Sequence, residues 1–135
     1  MVAEPPISDV SPDPPPHGVG RAYAEALSRK DFAAIEALLH PDVDFRALTP
    51  GRAWESSDAQ DVLSNVLRRW FGDTDDIEEL VRVETDSVED RQRVSYRFRG
   101  RNADGPFVIE QQVYFSEQDG RITLMRVLCS GYRPA

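Results

Sequence analysis

A chain of 135 residues, 40% apolar and 30% charged, has the size and make-up of one globular domain and is too short for two ordinary ones. Its net charge of -8 argues against nucleic acid and against anionic membrane surfaces, which are bound through basic patches. The single cysteine, Cys129, excludes an internal disulfide and suits a reducing cytoplasm, the expected location.

Residues 1–17 (MVAEPPISDVSPDPPPH) hold six of the ten prolines and no lysine or arginine. Proline has no amide donor, and the stretch has little apolar surface to bury, so it reads as a mobile, solubilising tail. It carries one PxxP match, Pro12 to Pro15, and no signal-peptide pattern. Nowhere does an apolar run approach the roughly 20 residues that span a bilayer.

The domain is expected over 18–135. Val19, Tyr23, Ala26 and Leu27 share one helical face. Asp31 is placed to cap a second helix with Phe32, Ile35, Leu38 and Leu39 inward, stopped by Pro41. His40, before that proline, reads as a cationic cap of the helix end. From Asp42 to Leu48 the pattern alternates, with Val43, Phe45 and Ala47 on one side of a strand. After the Thr49-Pro50-Gly51 turn, 52–56 reads as a short strand or a loop carrying Trp54. Ser57 and Gln60 match a capping box for a third helix, whose face is Ala59, Val62, Leu63, Val66, Leu67 and Trp70.

Beyond the acidic stretch Asp73-Thr74-Asp75-Asp76, read as a solvated connector, the period changes from 3.6 to 2. Val81, Val83 and Thr85 share one face of the next strand. Val94, Tyr96 and Phe98 share a face of the second, and Phe107, Ile109, Gln111, Val113 and Phe115 a face of the third. Short turns at Asn102–Gly105 and Gln118–Gly120 make consecutive strands antiparallel, and 122–129 is the last. Helix, helix, strand, helix and then a meander is an α+β layout: a curved antiparallel sheet wrapped around three N-terminal helices, with a conical space between them.

The segments Tyr23-Ala24-Glu25-Ala26-Leu27, Asp31 to Leu39 and Asp42-Val43-Asp44-Phe45, with Gly120-Arg121-Ile122 opening the last strand, resemble the nuclear transport factor 2-like superfamily, which includes ketosteroid isomerases and SnoaL-like polyketide cyclases. The resemblance covers 18–132 and implies a cystatin-like, cone-shaped α+β barrel with a pocket inside, and a homodimer. The isomerases use a first-helix tyrosine as oxyanion donor, and Tyr23 matches it. Their base, an aspartate at the end of the first strand, falls on Ala47, which moves no proton. Their protonated acid falls on Gln111, which can donate a hydrogen bond but cannot titrate. The Asp-Arg-Asp set of the epoxide hydrolases is not evident. On the last strand the resemblance turns Thr123, Met125, Val127 and Cys129 to the cavity and Ile122, Leu124, Arg126 and Leu128 outward.

The catalytic candidates are therefore Tyr23 and Gln111. Each also has a plain structural reading: a core tyrosine with one partner, and a buried amide bracing the core through Tyr23 or Tyr96. Trp54, Tyr96, Phe98, Met125 and Cys129 are the candidate ligand wall, with Arg46 and Arg52 as rim cations beside Trp54. Cys129 has no base beside it in sequence and reads as an inert thiol. The spacing of His, Cys and acidic residues matches no metal site, and no cofactor is expected. Arg91, Arg93, Arg97, Arg99 and Arg101 share the outer face with Glu84, Asp86 and Glu110, so cross-strand ion pairs account for the arginine run. Val108, Ile122, Leu124 and Leu128 on that face form an apolar patch, expected to be a homodimer contact. The two functional readings are a pocket for a small hydrophobic carbonyl ligand, isomerase- or cyclase-like if catalytic, and a non-catalytic dimeric interaction module.

Overall fold

The structure is a computed structural model and describes residues 18–135; the proline-rich tail lies outside the described residues. Helix α1 is Val19–Ser28 and α2 is Phe32–Leu38, followed by β1 (Leu39–Thr49) and β2 (Arg52–Ser56). Helix α3 has three parts, Ala59–Asp61, a π-helical turn at Val62–Leu67, and Arg68–Trp70. Strands β3 (Asp76–Val88), β4 (Arg91–Asn102), β5 (Gly105–Gln118), β6 (Arg121–Cys129) and β7 (Arg133–Pro134) complete the chain.

The seven strands form one curved, unclosed sheet in the order β2-β1-β6-β5-β4-β3, with β7 on β5. Every pair is antiparallel except β1 with β6, which run parallel, so the sheet is mixed. A parallel pair needs a long crossover, and the whole of α3 to β5 supplies it. The helices cover the inner face, where Tyr23, Leu27, Ile35 and Leu67 are fully buried against Phe45, Phe98 and Phe115.

Local chemistry explains the ends of the elements. The Asp31 carboxylate caps α2, accepting from the Ala34 amide at 3.1 Å. That helix stops at Leu38, ahead of Pro41, because Leu39 is already extended. Pro41 instead sits inside β1, where the pairing with β6 slips between Leu39 and Asp44 and no ladder donor is required of it. His40 is likewise strand, not a helix cap: its Nδ1 accepts from the Asp42 amide at 3.0 Å. Asp58 rather than Ser57 caps α3, accepting from the Gln60 amide at 2.8 Å.

Bulges re-aim two strands. The β3–β4 register shifts between Ile77 and Glu79 and again between Leu80 and Arg82. Ile77, Leu80 and Val83 thereby face Gly100, Phe98 and Tyr96, and Val81 drops out of the expected face. On β6 a shift opposite Ser116/Glu117 makes Ile122 buried and leaves Thr123 and Leu124 half-buried; Met125, Val127 and Cys129 face inward as expected. Gly100 is required where β3 crosses β4, since a Cβ there would lie 2.0 Å from the Asp76 carbonyl oxygen and 2.6 Å from the Phe107 ring.

Among the described residues, three of the five arginines in the run form cross-strand ion pairs, while Arg91 donates to Ser116 Oγ. Arg97 meets Glu110 at 2.7 Å, Arg99 meets Glu79 at 2.9 Å and Arg93 meets Asp86 at 3.6 Å. Among the described residues no helix is long and apolar enough to cross a membrane.

Candidate ligand site

Strand register brings the central candidates together. Tyr96 on β4 stands opposite Gln111 on β5, and Gln111 stands opposite Cys129 on β6. Because side chains of directly opposed residues point to the same face, all three enter the cone. Helix α1 adds Tyr23, its ring centroid 6.2 Å from that of Tyr96. The Tyr96 hydroxyl donates to Gln111 Oε1 at 2.5 Å, so of the two expected partners Tyr96 is the one that holds the amide.

This cluster is incompletely satisfied. Among the described residues the Tyr23 hydroxyl and Gln111 Nε2 have no well-formed hydrogen bond, although both are buried. A buried polar group left without a partner costs about 1–3 kcal/mol, and native structures hold few of them. Burial pushes both phenols above the usual tyrosine range; the Cys129 thiol adds to the rise at each, and Tyr96 partly offsets it at Tyr23. Both hydroxyls therefore carry their protons at neutral pH and serve as hydrogen-bond donors, not as bases.

Phe98 and Met125 belong to the packing beneath and beside this cluster. Phe98 stacks on Tyr96 with centroids 5.0 Å apart and takes Phe71 edge-on at 5.8 Å. Met125 is fully buried between Phe45 and Phe115, its register neighbours on β1 and β5. The deep end of the cone is thus filled by side chains.

The cone opens at its mouth. A pocket of about 230 Å³ is lined by Thr49, Trp54, Arg69, Trp70, Asp75, Ile109, Cys129, Gly131 and Tyr132. Trp54 reaches it because β2 pairs it with Ala47, which points inward. Its indole donates to Thr49 Oγ1 at 2.9 Å and meets Trp70 nearly perpendicularly at 5.8 Å. The Trp70 indole N–H is buried and, among the described residues, unpartnered. Tyr132 donates its hydroxyl to the Trp70 carbonyl and packs edge-on against Phe107 at 4.7 Å. Cys129 forms part of the wall, its Sγ accepting from the Gly131 amide at 3.3 Å.

Asp75 is the one carboxylate on this wall among the described residues. It is half-buried, whereas Asp73 and Asp76 beside it are exposed, which corrects the reading of the whole stretch as a solvated connector. Its Oδ2 accepts from the Gly72 amide at 3.1 Å and its Oδ1 from Asn102 Nδ2 at 3.3 Å. The Tyr132 phenol beside it is raised above the usual range, by burial first and by the Asp75 charge second. Neither Asp75 nor Tyr132 carries a signal in sequence: one stands among acids after a helix, the other after a glycine at the chain's end.

A larger concavity, about 820 Å³, lies on the opposite face of the sheet. Arg46, Leu48, Ala53, Glu55, Tyr114, Arg126 and Leu128 contribute to its walls. Arg46 is therefore an outer-groove residue, not a rim cation of the cone, because it alternates with Phe45 and Ala47. Arg52 does sit by Trp54, its guanidinium 3.6 Å from the ring centroid. Leu48 and Leu128 are 56% and 55% exposed. Of the apolar patch expected on this face, Leu128 is exposed, Val108 and Leu124 are half-buried, and Ile122 is inside.

Residues 20–125 match the family model described as the SnoaL-like domain. None of the curated proteins matches the sequence. Among solved structures, a provisionally named polyketide cyclase from Xanthomonas campestris pv. campestris superposes with a TM-score of 0.64 at 23% identity, over 82% of this chain and 86% of its own. An LEH-like epoxide hydrolase of M. tuberculosis gives 0.60 at 19% identity, over 83% and 80%. A Catenulispora acidiphila protein with a ketosteroid isomerase-like fold, solved with trimethylamine, gives 0.64 at 12%, over 87% and 88%. At these identities the likeness is one of fold.

Proposed function

Since the chain belongs to the SnoaL-like domain family, we propose that it binds a small hydrophobic carbonyl compound in the cone, entering past Trp54, Trp70 and Tyr132, in the manner of an isomerase or cyclase. The observation that carries this reading is the set of three buried groups able to donate that, among the described residues, have no well-formed hydrogen bond, Tyr23 Oη, Trp70 Nε1 and Gln111 Nε2, all in or beneath one aromatic mouth. A ligand oxygen would give such donors the acceptor they lack. Tyr23 and Gln111 lie beneath the pocket and are the donors that a carbonyl reaching past its floor would meet, while Trp54 and Cys129 belong to the wall. Tyr96 sets the orientation of the Gln111 amide; Phe98 and Met125 bound the space from below. The names attached to the structural neighbours, polyketide cyclase and epoxide hydrolase among them, agree with a small organic ligand.

Thermal shift with tryptophan fluorescence tests this reading across steroids, polyketide-like aromatics, acyl compounds and one-ring ketones. A true ligand at a hundredfold excess over its Kd adds about 2.7 kcal/mol to stability and quenches the two indoles of the mouth. No shift and no quenching by any class would leave the cone as packing alone.

A second reading is favoured by the outer groove. Two leucines more than half exposed beside an 820 Å³ hollow fit a homodimer through the outer sheet face. A dimeric, non-catalytic interaction module would need nothing from the cone. In either reading the protein acts in the cytoplasm, without nucleic acid or membrane as partner.

A further inference from the structure

The pocket lacks an obvious base where the isomerase pattern would place one, since Ala47 occupies that position and is 4% exposed. The structure puts a carboxylate at the mouth by another route. Asp75 comes from the connector between α3 and β3, and two donors fix its orientation. A carboxylate offers about four acceptor positions, so these bonds leave capacity on both oxygens. The other groups of the wall are engaged or unsuited. Tyr132 donates to the Trp70 carbonyl, Cys129 Sγ accepts from Gly131, and Arg69 is a permanent cation. The Trp70 indole N–H is buried and, among the described residues, unpartnered, on a residue of the same wall.

We propose that Asp75 is the proton-accepting residue of the mouth pocket, and that its substrate is a one-ring enolisable ketone or a compound of that size. The proposal rests on the carbonyl-ligand reading of the same pocket. The Asp75 carboxylate takes a proton from the carbon next to the carbonyl. The C–H electron pair becomes a new C–C π bond, and the carbonyl π pair moves onto oxygen. Return of the proton from the Asp75 carboxyl to carbon restores the carboxylate, and nothing is oxidised or reduced. The size follows from the volume: about 230 Å³ falls below the range of roughly 300–1,000 Å³ for drug-sized ligands, and a cavity of about 150 Å³ holds benzene. Steroids and multi-ring polyketides exceed it.

The test is deuterium exchange at the α-carbons of cyclohexanone and 2-cyclohexenone in D2O, followed by proton NMR, with binding read separately from tryptophan fluorescence. Wild-type protein should bind and accelerate exchange. Asp75→Asn should bind with little change and lose the acceleration by about 100-fold or more, the usual weight of a general base. Asp75→Glu keeps the carboxylate but misplaces it and should retain more of the acceleration than Asp75→Asn. Asp73→Asn, at an exposed neighbour, should match wild type; circular dichroism checks that each variant is folded. Binding without exchange, or an Asp75→Asn variant exchanging at the wild-type rate, would overturn the assignment of Asp75 alone. Failure of the wild type to bind either ketone, while another class of the thermal-shift screen binds, would overturn this proposal and leave the pocket reading; binding by no class would overturn both.

Discussion

The two faces of the sheet use the same strands to opposite ends. On β1 and β6, Phe45, Ala47, Met125 and Val127 point in and are buried, while Leu48 and Leu128, one residue along, are more than half exposed. The outer face leaves the larger hollow, about 820 Å³ against about 230 Å³ at the cone's mouth. Yet every buried polar side chain without a partner, among the described residues, lies on the inner side. Volume therefore does not mark the chemistry here. The outer hollow is flanked by two exposed leucines; the inner one has a carboxylate on its wall and buried donors at or beneath it.

The largest effects should come from making the two faces answer the same substitution. Phe98→Ala should cost about 3–5 kcal/mol in urea unfolding, because its cavity cannot collapse against Tyr96 and Phe71. Leu128→Ala should stay within about 0.5 kcal/mol for the monomer and, on the homodimer reading, show instead as weaker self-association in analytical ultracentrifugation. Equal costs at both positions would erase the distinction drawn between the faces.

A smaller effect separates bracing from ligand recognition at the inner cluster. Gln111→Leu strands the Tyr96 hydroxyl and should cost about 1–3 kcal/mol. Tyr96→Phe removes one hydrogen-bond partner and should cost about 1 kcal/mol. The double variant should be less destabilised than the sum, by about 0.5 kcal/mol or more in a denaturation cycle. Additivity would mean that the pair does not act as a unit.

The smallest effect is in pH. The Tyr23 phenol is raised in the folded protein, so the folded state holds its proton more tightly than the unfolded chain. Its contribution to stability is whole below the unfolded value of about 10 and is lost as pH rises from there toward the folded value. Tyr23→Phe should flatten the alkaline fall of Tm above about pH 10 and leave the neutral Tm less changed.

Legibility in the sequence follows strand position. On the central strands β4 and β5 strict alternation placed Tyr96, Phe98, Ile109, Gln111 and Phe115 on the face they occupy, because neighbours on both sides hold the register. Gln111 stood out there as the single amide among apolar residues, and Trp54 as an aromatic beside a turn. Edge strand β3 and the start of β6 were misread because a bulge adds one residue without any local mark. The parallel pairing of β1 with β6 joins segments far apart in the chain, and no spacing within either one encodes it. Asp75 was hidden for a like reason. Its place in the mouth depends on the end of α3 and on Asn102, more than a strand's length away in sequence.

The missing side chain at Gly100 has a reach beyond its own strand. The bulged start of β3 lies so close over this position that the Asp76 carbonyl fills the space a methyl group would take. Asp75 is the next residue back. A displacement of Asp76 off the sheet would pull on that residue, whose carboxylate is held by Gly72 and Asn102. Alanine at position 100 should therefore displace the start of β3 and strain the hydrogen bonds that hold Asp75, a change made outside the pocket and felt at its wall.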